Sequence, residues 1–250
     1  MSQKGRLFTR SMALGLVLLG LMAVSRAEGT SDTNSVQTGP AIEDQPLTPY
    51  QTALLDYKIG KYADARTAID IAEKAAPGDL PTEILKARIL TELGDYPDGE
   101  KVLRNLLTPP PGPLEAQLAL GDLFLRKRDF NGASKFYGQA LLAKPGDPDI
   151  MLKMVYAKIG ASDLLAAANY TSKLKPLDPD HPCYYFAKAA LAQTAGRSQE
   201  ADDDIQTSRT IYGITVTNHY LKTYLEVITS IPKGPATEIT PPPLVNNPPK

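Results

Sequence analysis

Small and apolar positions return along this chain with a period of 34 residues. Ala65, Gly99, Ala133, Ala167 and Ala201 form one column. Pro77, Pro111, Pro145 and Pro179 form a second column twelve residues later, which Gly213 closes. A fixed period of this length predicts helix pairs stacked as a solenoid. One unit of this size cannot bury its own apolar face, so its neighbours must cover it. Ala53, Ala87, Gly121 and Ala189 are small positions on the first helix of a pair, and Ala65, Ala133 and Ala201 on the second. Helices approach closely where side chains are small, so these residues mark the crossings. Tyr62, Tyr96 and Phe130 stand beside the turns and are expected to wedge between the helices. Gly60, Gly94 and Gly196 supply left-handed backbone at a helix end, and the prolines stop the second helices.

Helix starts agree with this division. Thr48-Pro49-Tyr50-Gln51 reads as an N-cap, a first-turn proline and a capping-box partner, and Asp147-Pro148 opens the fourth unit in the same way. The last two units depart from the pattern. In the fourth, Gly160 comes two residues early and Ser162 takes the glycine's place, which predicts a longer turn. In the fifth, Ser198 replaces the wedge aromatic and Gly213 replaces the proline, which predicts weaker packing. Beyond Gly213, Tyr220, Leu221, Tyr224, Leu225 and Ile228 follow helical spacing. They predict a final helix that covers the exposed end of the stack, as an open solenoid requires.

On these columns each unit resembles the tetratricopeptide repeat, over roughly residues 46–213. The third unit carries Gly121, Phe124, Asp129-Phe130, Ala133, Tyr137, Ala140 and Pro145. The first carries Ala53, Gly60-Lys61-Tyr62, Ala65, Ala72 and Pro77, and the second Ala87, Leu90, Gly94-Asp95-Tyr96, Gly99 and Pro111. The resemblance implies an all-α fold: a right-handed α-solenoid of about five helix pairs plus a C-terminal capping helix. It also implies a non-catalytic scaffold that holds a protein or peptide in a concave groove lined by the first helices. Three groove columns follow from the period: Tyr50, Ile84, Leu118, Leu152, Phe186; Leu54, Arg88, Asp122, Tyr156, Ala190; and Tyr57, Thr91, Leu125, Ile159, Gln193. Chaperone-binding members of the family grip a terminal carboxylate with lysine and asparagine in the first two columns. Here the first column is apolar and the second has no asparagine, so that clamp is not expected. Tyr50, Leu54, Tyr57, Arg88, Arg126 and Tyr156 are the candidate partner-binding residues. Aromatic and arginine side chains are frequent interface anchors, and this set suits an apolar or amphipathic segment. The competing role for the apolar first column is packing between the inner helices.

The chain ends change the charge and the expected location. Lys4, Arg6 and Arg10 precede an apolar run from Met12 to Val24, and Ser25-Arg26-Ala27 follows, the layout of a secretory signal. The run is too short to cross a bilayer, which needs about 20 residues. Residues 1–27 are therefore read as a cleaved signal peptide, 28–45 as a flexible linker, 46–230 as the solenoid and 231–250, with seven prolines, as an extended tail. The expected location is periplasmic or secreted, with no stable membrane insertion after cleavage. Residues 1–27 hold four basic residues and no acidic one, so their removal takes the formal net charge from −1 to −5. That argues against nucleic acid as a partner.

No catalytic constellation, metal site or cofactor site is expected. Histidine occurs only at His181 and His219, and Cys183 is the only cysteine. An intrachain disulfide is excluded, and Cys183 reads as a small apolar residue near a helix start. Asp178-Pro179-Asp180-His181 reads as a helix stop followed by a cap, and Asp202-Asp203-Asp204 as a solvated helix face. The alternative function is structural: a homo-oligomer held together through the C-terminal helix.

Overall fold

The computed structural model describes residues 46–230, so the expected signal segment (1–27), linker (28–45) and proline-rich tail (231–250) lie outside the described residues. Among the described residues there are ten helical elements and no strand, the last element being two helices joined by a break at Gly213. They are α1 (Pro49–Lys58), α2 (Tyr62–Ala75), α3 (Leu80–Glu92), α4 (Tyr96–Leu106), α5 (Leu114–Arg126), α6 (Phe130–Ala143), α7 (Pro148–Gly160), α8 (Leu164–Lys173), α9 (Cys183–Thr194) and α10 (Ser198–Ser230). Consecutive helices pack as five pairs, and each second helix meets the first helix of the next pair. First helices also touch one another, α1 on α3, α3 on α5 and α7 on α9. The chain is an α-solenoid.

Local chemistry sets the helix ends. Thr48 and Gln51 form the reciprocal capping box at α1, which satisfies two otherwise orphaned donors. Asp79, Asp129, Asp147 and Asp163 cap α3, α6, α7 and α8 by accepting first-turn backbone N–H groups. At the fourth unit the expectation of a longer turn is corrected. Ser162 itself adopts a left-handed φ of 60°. Its N–H donates to the Ile159 carbonyl at 2.9 Å, and that of Asp163 to Lys158 at 2.9 Å. Gly60 and Lys61 close α1 with the same pair of bonds, at 3.1 and 2.8 Å. A serine here accepts the steric cost of the left-handed region and the turn keeps its length. Gly160 has another task. A Cβ at this position would strike the ring of Phe130, so the glycine makes room for that aromatic to span from α6 onto α7.

Close approach explains the small columns. Ala53, Ala65, Ala87, Ala133, Ala167, Ala189 and Ala201 are all fully buried. At Gly121 the space is taken by Tyr137, whose ring occupies the place of a Cβ. The Tyr137 hydroxyl donates to Asp122 at 2.7 Å. Burial, reinforced by the Asp122 charge and that hydrogen bond, holds the phenol well above its usual range, so it remains a donor.

The inner helices are sandwiched, and their sequences show it. In α7 Ile150, Met151, Leu152, Met154, Val155, Tyr156, Ala157 and Ile159 are buried, whereas α8 buries only Ala167 and Thr171. A helix buried on several faces carries apolar residues all round, and an outer helix needs one stripe.

The fifth unit corrects the expectation of weak packing. Cys183, Tyr185, Phe186, Ala187, Ala189, Ala190 and Ala192 of α9 are all buried. The cause is α10, which breaks at Gly213 (φ 80°, ψ 166°) and turns back. The terminal arm, residues 214–230, then lies on α9. Tyr220 stacks on Phe186 at 5.6 Å between ring centroids, and Tyr224 meets the same ring edge-on at 5.9 Å. Ser208 and Thr217, both fully buried, share a hydroxyl hydrogen bond of 3.1 Å across the bend. Tyr220, Tyr224 and Val227 stand 34 residues after Phe186, Ala190 and Gln193, so the arm is the first helix of a sixth, unfinished unit.

A concave groove closed on one side by the terminal arm

The arm does more than cap the stack. It forms one wall of a groove of about 790 Å³ whose other wall is built from the first helices α1, α3, α5 and α7. Polar contacts join the walls in addition to the apolar cluster shared by Leu152, Tyr156, Tyr224 and Val227. Arg126 on α5 donates from Nη2 to both carboxylate oxygens of Glu92 on α3 at 2.6 Å, and reaches Glu226 of the arm at 3.1 Å. From the arm, Lys222 donates to the Tyr62 hydroxyl at 2.9 Å and approaches Glu92 at 3.6 Å. Its ammonium also lies 5.5 Å from the Tyr62 ring centroid, within cation–π reach. Glu92, with only 12% of its side chain exposed, thus serves two cations from opposite walls.

Titration follows these contacts. For Lys222, burial lowers the pKa, but Tyr62, Glu92 and Glu226 outweigh it and the value rises. Burial raises the Glu226 carboxyl, and Glu92 adds to this against the pull of Arg126 and Lys222. A second ion pair, Lys153 with Asp122, crosses between α7 and α5, its longer contact 2.7 Å. It shares Asp122 with Tyr137, so the core hydrogen bond and the groove charge sit on one carboxylate.

Four of the six candidate partner-binding residues, Tyr57, Arg88, Arg126 and Tyr156, line this groove together. Tyr50 and Leu54 do not; they pack against the first apolar cluster beside Ala53 and Ile69. Tyr156 borders the groove but is 1% exposed, so it is core rather than anchor. Arg126 is engaged by Glu92 and Glu226, leaving Tyr57 and Arg88 as the reachable members of the set. In the apolar first column Ile84, Leu152 and Phe186 are buried, the packing role. The sequence columns miss Glu92, Lys222 and Glu226. For Glu92 the signal is the period itself, because Glu92 and Arg126 are 34 residues apart and stack in neighbouring units.

Two other readings change. Asp202 and Asp203 are exposed, but Asp204 is buried and accepts from Lys188 at 2.8 Å. Burial raises the Asp204 carboxyl, and Lys188 partly offsets this. His181 and Cys183 do not stand alone either. The 34-residue stacking sets Asp149 of α7 beside Cys183 of α9, and His181 joins them. No described helix is long and apolar enough to cross a membrane.

Known proteins add the fold. No family model matches the chain. Its sequence is 23% identical over 104 residues to human protein O-mannosyl-transferase TMTC1, a stretch covering 42% of this chain and 12% of that protein. Among solved structures it is similar to a thermophilic TPR protein of Thermus thermophilus, with a TM-score of 0.59 and 18% identity over 71% of this chain and 97% of that one. A tetratricopeptide repeat protein from Parabacteroides merdae gives a TM-score of 0.56 and 12% identity, over 72% of this chain and 70% of that one. Together with the five stacked helix pairs, these likenesses establish the fold of the described residues as a tetratricopeptide-repeat solenoid.

Proposed function

We propose that this protein is a non-catalytic, exported scaffold that holds a segment of another protein in the groove between its first helices and its terminal arm. The observation that carries the reading is the composition of that groove. Six cationic and four anionic side chains line it. Arg126, Lys222 and Lys153 are matched by Glu92, Glu226 and Asp122. Lys58, Arg88 and Arg128 line the same space, and among the described residues no carboxylate pairs with them. Beside them stand the apolar faces of Tyr57, Tyr96 and Leu125. Such a surface fits an amphipathic segment that offers carboxylates on one side and apolar residues on the other. Export rests on the basic, apolar and small-residue order of residues 1–27.

The test replaces Lys58 and Arg88 with glutamate. Both are exposed, so the melting temperature should be unchanged. Affinity for acidic amphipathic peptides, read by fluorescence anisotropy at low salt, should fall at least tenfold. Equal affinity in the two proteins would remove the groove from the account. A second copy of the chain is the alternative partner, and one observation favours it. Ile214 and Leu225 on the arm are 64% and 50% exposed. Light scattering that finds a dimer lost on changing both to serine would support that reading.

A further inference from the structure

At one end of the groove, where α7, α9 and the arm meet, three polar side chains converge on the carboxylate of a fourth. Asp149 lies in the first turn of α7, Cys183 opens α9, His181 sits in the loop before it and Tyr220 comes from the arm. The Cys183 thiol donates to Asp149 Oδ1 at 3.3 Å. His181 Nδ1 is 3.3 Å from Asp149 Oδ2. The Tyr220 hydroxyl donates to Asp149 Oδ1 at 2.7 Å. One nitrogen, one sulfur and one carboxylate oxygen all lie within 4.8 Å of one another.

We propose that Asp149, His181 and Cys183 form a binding site for a zinc ion. The donor set is the first argument. Imidazole, thiolate and carboxylate together suit a borderline-soft divalent cation, whereas calcium and magnesium take oxygen ligands. Geometry is the second. Metal–ligand bonds of about 2.0–2.3 Å at tetrahedral angles place the donors about 3.3–3.6 Å apart. His181 Nδ1 is 3.3 Å from Asp149 Oδ2, and the Cys183 sulfur is 3.3 Å from Oδ1 of the same carboxylate. The three donor atoms lie within 4.8 Å of one another, so a small side-chain adjustment gathers them around one ion. The surroundings are the third. Cys183 is 1% exposed. In the same buried cluster the Tyr156 hydroxyl has no hydrogen-bond partner among the described residues. Tyr220 plays the supporting part expected around a metal, holding one oxygen of the ligating carboxylate by a hydrogen bond while the other faces His181.

On binding, the thiol would lose its proton to solvent, and the thiolate, His181 Nδ1 and one Asp149 oxygen would hold the ion, leaving a further position for water. His181 must then carry its proton on Nε2. His181 and Asp149 keep 33% and 43% of their side chains exposed, which gives the ion a way in.

The experiment uses the reduced full chain with zinc alone and, separately, cobalt(II) alone. Equilibrium dialysis should find one zinc per chain, and cobalt should produce a thiolate-to-metal charge-transfer band in the near ultraviolet. Cys183→Ser should abolish that band. His181→Gln, at a partly exposed loop position, should weaken zinc at least tenfold with an unchanged helical circular dichroism spectrum, and it decides the matter if Cys183→Ser fails to fold. No stoichiometric zinc, a cobalt spectrum without the sulfur band, or equal zinc affinity in His181→Gln would each leave only a hydrogen-bonded polar cluster and overturn the proposal.

Discussion

Replacing Gly213 with alanine is expected to release the terminal arm. At φ 80° and ψ 166° the backbone of this residue lies in a region open essentially to glycine alone. Nothing lies within 4 Å of where a Cβ would stand, so the substitution acts through the backbone and not through a collision. Holding an alanine there costs about 1–3 kcal/mol, which shifts the docking of the arm about 5- to 150-fold towards the undocked state. Only the arm and its bed should respond. Hydrogen exchange of the amides in residues 217–228, and of α9 beneath them, should accelerate by about that factor, with α1 to α6 unchanged. Wild-type exchange along the arm in Gly213→Ala would mean that the bend is not what places it.

Tyr137→Ala should produce the largest loss of stability. The ring is fully buried and fills the gap that Gly121 leaves between α5 and α6. Emptying an aromatic site of this kind costs about 3–5 kcal/mol. For a folded region of this size each kcal/mol is worth about 2–4 °C in melting temperature, so a fall of about 6–20 °C is expected. Tyr137→Phe separates packing from polarity. It removes only the 2.7 Å hydrogen bond to Asp122, a bond to a carboxylate worth about 1.5–3 kcal/mol, and Asp122 keeps Lys153. Thermal unfolding followed by circular dichroism measures both. Equal falls in the two variants would mean that the ring is not the filler of that crossing.

The architecture is legible because the period encodes it. Small residues at fixed register have one physical use in a helical stack, and Ala53, Ala87 and Ala133 are buried at the crossings as their spacing requires. The turn at Ser162 eludes the pattern because the pattern expects glycine there, although serine tolerates the left-handed region at moderate cost. Gly160 reads as a turn residue in the sequence, but its reason is the Phe130 ring, a contact between units that no local rule reveals.

The groove is less legible. First-helix positions line both a concave surface and a packed interior, and residue type does not separate them. Tyr156 and Arg88 share a column, yet one is core and the other is exposed. The information that is present lies in the stacking rule. Residues 34 apart meet in space, as Glu92 with Arg126, Asp149 with Cys183, and Asp178 with Tyr212. Extended past Gly213, the same rule places Tyr220 over Phe186 and makes the last helix part of the next inner layer. The contacts of Lys222 with Tyr62, 160 residues away, follow from the bend and have no counterpart in the period.

The groove's role is tested most directly by a photo-crosslinking residue placed at Arg88, inside the groove, and in a second protein at Leu165, which is 84% exposed and outside it. Expressed in the native cell and irradiated, the Arg88 probe should attach to a discrete protein by an acid-bearing segment, and the Leu165 probe should not. Capture from Leu165 alone, or equal capture from both positions, would contradict a partner held in the trough.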